Sequence, residues 1–340
     1  MIDLSPKENY LRLLRGEMPE YLPIYTMIGP GYNGETATAM CAPNLFGCTH
    51  HSPQGGKDMW GVNYVANEES GFAALPEPNH FMLKDITEWE KVIRNPQMPD
   101  VDWEQMAKKD LETAMIDRSK TAVMLPCELS PFQQLMAFMG FNEGLCAMFE
   151  EPDAVKDLLD YLTDFVVGLT EKAIEYYQPD IFYILDDSAT KLNPFVSVEM
   201  YRDLLKPYYI RLSKPANDRG IPIQFHNCGR CEDYLEDMID FGVKITDPSQ
   251  GTNDLKGIKD KYKDKLALAG CWEWIVPETW PEVSEEAVRQ SVRDIIDTYA
   301  PGGGFAFGGG AVGRFGDQTI ENVNHWVQEE AYYYGKKCYR

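Results

Sequence analysis

Residues 221–231 read IPIQFHNCGRC, and the fold turns on this stretch. A short apolar run (Ile221, Ile223, Phe225) has the two-residue alternation of a strand buried in a core. It breaks abruptly into His226, Asn227, Cys228 and Gly229, and an acidic, helix-like segment, EDYLEDMIDFG, follows. In a parallel α/β protein, side chains at the carboxyl end of a strand are held at the mouth of the sheet or barrel, where chemistry is usually placed. His226 and Cys228 are two residues apart, so extended backbone points both to one face. A neutral imidazole and a thiolate on one face are half of a zinc site. Taken alone, such a pair is more often a core histidine beside a buried free cysteine. Its position directly after a buried strand turns the reading toward function.

Outward from this stretch the chain alternates. Strand signals fall near residues 22, 61, 122, 182, 222, 244, 267 and 304, most of them separated by helical patterns. Eight strands, the later ones in strict strand–helix alternation, predict a (β/α)8 TIM barrel preceded by an N-terminal extension. A doubly wound open sheet is the runner-up. It is set aside because no glycine-rich dinucleotide fingerprint follows the first strand. Ser5, Pro6 and Glu8 form a helix start, and Gly16 its stop. IGPGYNGETATAM (28–40) and CAPNLFGCTHHSPQGGKD (41–58) read as loops, the second as a substrate-covering lid more than a metal site. With no internal repeat or linker, residues 1–340 are expected to form one domain.

Composition sets further bounds. The chain has 340 residues, 44% hydrophobic and 25% charged, enough for a large core. Its net charge of −22 argues against nucleic acid and against an anionic membrane surface. A basic protein partner or a neutral small substrate fits better. No apolar run approaches the ~20 residues of a membrane span, and MIDLSPKENY lacks a secretory pattern, so a cytoplasmic location is expected. Eight cysteines without framework spacing read as thiols or metal ligands more than disulfides.

A barrel would bring the strand-end polar residues together: Glu128, Asp186, Asp187, His226, Cys228, Asp247, Cys271 and Glu273. Cysteine, histidine and carboxylate from different strands around one cavity suit zinc. Asp186 and Asp187 have two readings. One is a helix cap with a solvated neighbour. The other is a pair of carboxylates that raise one another's pKa and supply a general acid. CxxC at 228 and 231 lacks a thioredoxin-like context, which places Cys231 in the packing layer.

These landmarks resemble the uroporphyrinogen decarboxylase superfamily over nearly the whole chain. The matching stretches are PKENYLRLLRGEMPEYLPIY, DMWGV, YILDDSAT, FHNCG followed by DFGVKITDP, NDLKGIKDKY, LALAGCWE and GGGFAFGGG. The resemblance implies a (β/α)8 barrel. The decarboxylases proper carry an arginine-rich RQAGR motif after the first strand, where this chain reads MIGPG; decarboxylation is therefore disfavoured. In the cobalamin-dependent methyltransferase branch, an HxC pair and a later cysteine bind zinc. His226, Asn227 and Cys228 match that pair, while the later cysteine's place, near Gly309 to Ala311, holds none. Cys271, Glu128 or an aspartate remain to complete a weaker site.

The wording is most similar to the ether-cleaving members. They imply transfer of a methyl group from an aryl methyl ether to the Co(I) of a corrinoid (cobalamin) carried by a partner protein. Within that expectation His226, Asp186, Asp187 and Glu128 are the candidate proton donors or ligands. His226, Cys228 and Cys271 form the candidate zinc set, and Trp60, Tyr183 and Trp272 the candidate walls for a substrate ring. The alternatives are a methylcobalamin:thiol methyltransferase, a decarboxylase, and a non-catalytic binding protein that inherited the barrel.

Overall fold

Seven strands run side by side and all parallel in the computed structural model, which describes residues 4–27, 31–43, 54–67, 73–127, 130–272, 283–312 and 316–339. In chain order the strands are β1 (Thr38–Met40), β2 (Gly56–Lys57), β3 (Asn63–Val65), β4 (Leu75–Pro76) and β5 (Ala122–Cys127), then β6 (Ile181–Leu185), β7 (Ile223–His226), β8 (Val243–Ser249), β9 (Ala267–Cys271) and β10 (Phe305–Gly308). The parallel sheet has the order β1-β5-β6-β7-β8-β9-β10. Ile24 bridges Phe307 in parallel, with Tyr25 N–H donating to the Phe307 carbonyl at 2.7 Å and Phe307 N–H to the Pro23 carbonyl at 2.9 Å. The segment around Ile24 thus takes the eighth position, and the sheet curls into a TIM barrel.

The helices are α1 (Pro6–Leu14), α2 (Trp89–Val92), α3 (Trp103–Thr113), α4 (Pro131–Met139), α5 (Phe141–Glu150), α6 (Pro152–Tyr177), α7 (Val198–Leu204), α8 (Lys206–Asn217), α9 (Leu235–Asp240), α10 (Leu255–Tyr262), α11 (Glu285–Tyr299) and α12 (Gln318–Gly335). Each strand from β5 onward is followed by at least one of them. The start of α1 is as the sequence predicts: the Ser5 side chain accepts from Glu8 N–H, Pro6 opens the helix, and Gly16 beyond it has φ 73°. Among the described residues no helix is long and apolar enough to cross a membrane.

Two expectations are corrected. The strand signal near residue 61 is real, but β3 pairs with β2 and β4 in a separate antiparallel sheet. The barrel position it was expected to fill belongs to β1, in a stretch read as loop. Three residues are too short a run for alternation to show.

The strands obey the two-residue rule with the core split into two shells. Ala122, Met124, Ile181, Tyr183, Ile245, Ala267, Ala269 and Ala306 pack together inside the barrel, joined by Tyr10, Leu13 and Leu14 of α1, which close one end. Leu125, Phe182, Ile184, Ile223, Phe225, Val243, Leu268, Phe305 and Phe307 belong to the outer shell under the helices. In β7 this puts Ile223 and Phe225 outward and leaves Gln224 and His226 for the interior.

Candidate functional site

His226 ends β7, and the chain turns through Asn227, Cys228 and Gly229. The alternation holds across the turn. Asn227 swings away to bind the β6 side, its Oδ1 accepting from Ser188 N–H at 3.1 Å and its Nδ2 donating to Ser188 Oγ at 2.8 Å. Cys228 comes back beside His226, with Sγ 3.5 Å from Nε2. Gly229 makes the turn possible. It has φ 90°, and a Cβ there would lie 2.4 Å from the Thr190 carbonyl oxygen. Any side chain would push the turn, and Cys228 with it, off the β6 loop.

Asp187, one residue past the β6 neighbour Asp186, completes the group. Its Oδ1 accepts the Cys228 N–H at 2.6 Å and lies 3.6 Å from His226 Nε2. One donor atom each from Asp187, His226 and Cys228 can be chosen so that all three lie within 4.8 Å of one another. Asp187 is about a third exposed and His226 12% exposed, so the group sits at the barrel mouth and not in the packed interior.

Behind the ring lies Asp247, on β8 and only 1% exposed. Its Oδ1 is 2.8 Å from His226 Nδ1. A carboxylate only accepts, so Nδ1 carries the proton and Nε2 is the nitrogen turned toward Asp187 and Cys228. The same Oδ1 accepts from Tyr183 OH at 2.9 Å and Tyr25 OH at 3.2 Å, while Oδ2 accepts from Gln224 Nε2 at 2.6 Å. Burial alone works against charge on the imidazole. The hydrogen bond and charge of Asp247, the contact with Cys228 and the charge of Asp187 outweigh it, holding His226 well above its ordinary pKa.

The donor set fits a divalent metal of zinc type. It offers one nitrogen, one sulfur and one oxygen, with the histidine held from behind by a carboxylate as metal-bound imidazoles are. Two carboxylates and a thiol surround a single imidazole, and among the described residues no lysine or arginine is bonded to any of them. Such a set gains most from a cation.

The other residues singled out from the sequence are placed elsewhere, with physical reasons. Asp186 does not share the mouth with Asp187. Adjacent residues of a strand face opposite layers, and Asp186 is fully buried on the helix side. There its carboxylate accepts from Phe132 N–H at 3.1 Å, Gln133 N–H at 3.0 Å and Tyr209 OH at 2.6 Å, capping the start of α4. Burial, not its neighbour, raises its pKa to about 6. Cys271 is also turned away. Gly270 and Cys271 both have positive φ (111° and 64°), which breaks the alternation of β9. The thiol joins the outer shell, where its charge would be felt by Lys259 of α10 and Tyr299 of α11. It is not a member of the ligand group.

Trp60 packs edge-on against Phe138 of α4 and donates to Asn95 Oδ1 at 3.0 Å, far into the outer layer. Trp272 is 5% exposed and donates Nε1–H to Ser291 of α11 at 2.9 Å. Both belong to the outer shell. Tyr183 is at the site, but as floor under His226, fully buried, and not as a face for a ring. Cys231 is buried as expected, its thiol pushed up to about 12 chiefly by burial. Glu128 and Glu273, and residues 44–53 of the cysteine–histidine loop, lie outside the described residues.

Sequence reasoning named Asp247 as a strand end without its role and missed Gln224, Tyr25 and Tyr10. The signal for Gln224 was present: a polar residue at an inward position of an otherwise apolar strand, two before the histidine.

Comparison with known proteins bears on these observations. The model of the family described as "Uroporphyrinogen decarboxylase (URO-D)" matches residues 115–331, more than half of the chain. No curated protein matches. Among solved structures, a methyltransferase from Methanosarcina mazei is similar at a TM-score of 0.61 and 14% identity, covering 98% of this chain and 100% of that one. A sugar phosphate isomerase/epimerase from Parabacteroides distasonis is similar over 71% of this chain and 83% of its own, at a TM-score of 0.36 and 10% identity.

Proposed function

From the premise that the chain belongs to the uroporphyrinogen decarboxylase family, we propose that it is a methyltransferase that demethylates an O-methyl compound, an aryl methyl ether, with the Co(I) corrinoid of a partner protein as acceptor. The observation that carries the reading is the convergence of Asp187, His226 and Cys228 at the barrel mouth. The likeness in fold to a methyltransferase along nearly the whole chain is consistent with it. The missing RQAGR motif weighs against decarboxylation.

In this reaction the methyl carbon passes from oxygen to cobalt. The C–O bond breaks with its pair left on the oxygen, and the new C–Co bond takes its pair from Co(I). Expelling a phenoxide is hard, since phenols have a pKa near ~10. Asp187, His226 and Cys228 would hold a zinc ion, which would supply Lewis acidity at that oxygen. The chain's own part is to present the donors. Asp247 fixes which nitrogen of His226 faces the mouth. The Cys228 N–H holds the Asp187 carboxylate against the ring. The buried floor of Tyr183 and Tyr25 keeps water from the back of the imidazole.

The test is demethylation of a methoxyarene with reduced corrinoid partner protein. His226→Ala is expected to abolish turnover; full demethylation by that variant would remove the site from the reaction. A second reading, methyl transfer from methylcobalamin to a thiol, draws on the soft sulfur donor of Cys228, which suits a metal that activates thiolates. Turnover of a thiol with methylcobalamin, and none of methoxyarenes, would select it.

A further inference from the structure

A line of buried polar side chains runs from α1 up the inside of the barrel to the back of His226. Tyr10 OH donates to Gln224 Oε1 at 2.8 Å, Gln224 Nε2 donates to Asp247 Oδ2 at 2.6 Å, and Asp247 Oδ1 receives His226 Nδ1 at 2.8 Å. Tyr10 and Gln224 are fully buried and Asp247 is 1% exposed. The line has a direction. An amide has one acceptor atom and one donor atom, so Gln224 can meet a carboxylate only with its nitrogen. That leaves Oε1 facing α1, where the Tyr10 hydroxyl is the donor that satisfies it.

The division of labour on Asp247 gives the line its force. Oδ1 is shared by His226, Tyr183 and Tyr25, whereas Oδ2 is held by Gln224. Gln224 is therefore the stop against rotation of the carboxylate about its Cβ–Cγ bond. If the carboxylate turns, the acceptor for His226 Nδ1 moves with it.

We propose that Tyr10, Gln224 and Asp247 are positioning residues, a relay through which the N-terminal helix holds the His226 ring with Nε2 aimed at Asp187 and Cys228. The proposal rests on the metal-binding reading of the site and adds to it a dependence on a helix at the other end of the barrel.

Co2+ serves as the probe, read by its dissociation constant and its visible absorption spectrum. The 15N signals of the His226 ring in the metal-free protein are a second readout. Asp247→Asn is expected to weaken Co2+ about 10- to 100-fold and to alter the spectrum, the usual effect of losing the carboxylate behind a ligating histidine. Tyr10→Phe deletes one buried hydrogen bond three side chains from the metal and should weaken Co2+ about two- to tenfold. It should also shift the His226 ring signals.

Tyr201→Phe is the control. Tyr201 is equally buried, but in the helix layer, and its hydroxyl has no partner among the described residues. This variant should match the parent in both readouts. Tyr10→Phe indistinguishable from Tyr201→Phe would overturn the relay and leave α1 as a plug. So would an Asp247→Asn protein with parental affinity; should that variant not fold, Tyr10→Phe decides. If the parent protein takes up no Co2+, the metal reading fails, and the ring signals alone decide the relay.

Discussion

Replacing Asp186 separates two neighbouring aspartates that look alike in the sequence. In Asp186→Ala the N–H groups of Phe132 and Gln133 and the hydroxyl of Tyr209 lose their acceptor in a fully buried setting. At about 1–3 kcal/mol for each stranded donor, with some relaxation of α4, the loss of stability should be about 3–6 kcal/mol. Asp186→Asn gives a finer test through pH. Burial holds the carboxyl at about 6 in the folded protein, against an ordinary value of 3.8.

A folded pKa above the unfolded one means that the protonated form is the one folding favours. Its contribution is complete below about pH 4 and is lost as pH rises through about 6. From the direction of that shift, wild-type stability should fall relative to Asp186→Asn by on the order of 1 kcal/mol between pH 5 and pH 7.5. Urea unfolding of both proteins across that range measures the difference. A difference that stays flat or rises with pH would refute the account that burial outweighs the three donors at Asp186.

Asp187→Ala should do the opposite of Asp186→Ala: Co2+ or Zn2+ binding drops sharply in a metal titration, while stability falls by only about 1–2 kcal/mol for the lost Cys228 hydrogen bond. Cys271→Ala should leave metal stoichiometry unchanged, because its thiol lies in the outer shell; loss of metal on that change would restore it as a ligand. Gly229→Ala forces a Cβ against the Thr190 carbonyl at a positive φ. It should cost about 1–3 kcal/mol in thermal unfolding and weaken metal binding together, since Cys228 moves with the turn. Trp60→Phe should lower stability by about 1 kcal/mol through the lost bond to Asn95 and leave methyl transfer at the parental rate.

What was legible in the sequence follows from what alternation can encode. The strand–helix order after residue 121 and the shared face of His226 and Cys228 rest on local periodicity, the cap at Ser5 on the residue types that open a helix, and the structure has each of them. Asp186 and Asp187 show the limit. Both stand at a strand end, but a period of two sends one to the helix layer and one to the mouth. Only the register against β5 and β7 decides which. Cys271 was expected at the mouth because it ends a strand, and the two positive-φ residues that turn it into the outer shell are announced by no local pattern. Trp60 and Trp272 were read as ring walls on residue type alone, and residue type does not say which layer a large aromatic fills. Asp247, Gln224 and Tyr10 come together across more than 200 residues of chain, beyond the reach of any spacing rule.

X-ray absorption at the zinc edge of the metal-loaded protein tests the proposed centre most directly. One sulfur at about 2.3 Å is expected, with nitrogen and oxygen neighbours at about 2.0–2.2 Å, and the sulfur shell should vanish in Cys228→Ser. A shell of two sulfurs, or a sulfur that survives Cys228→Ser, would contradict a site built from Asp187, His226 and Cys228.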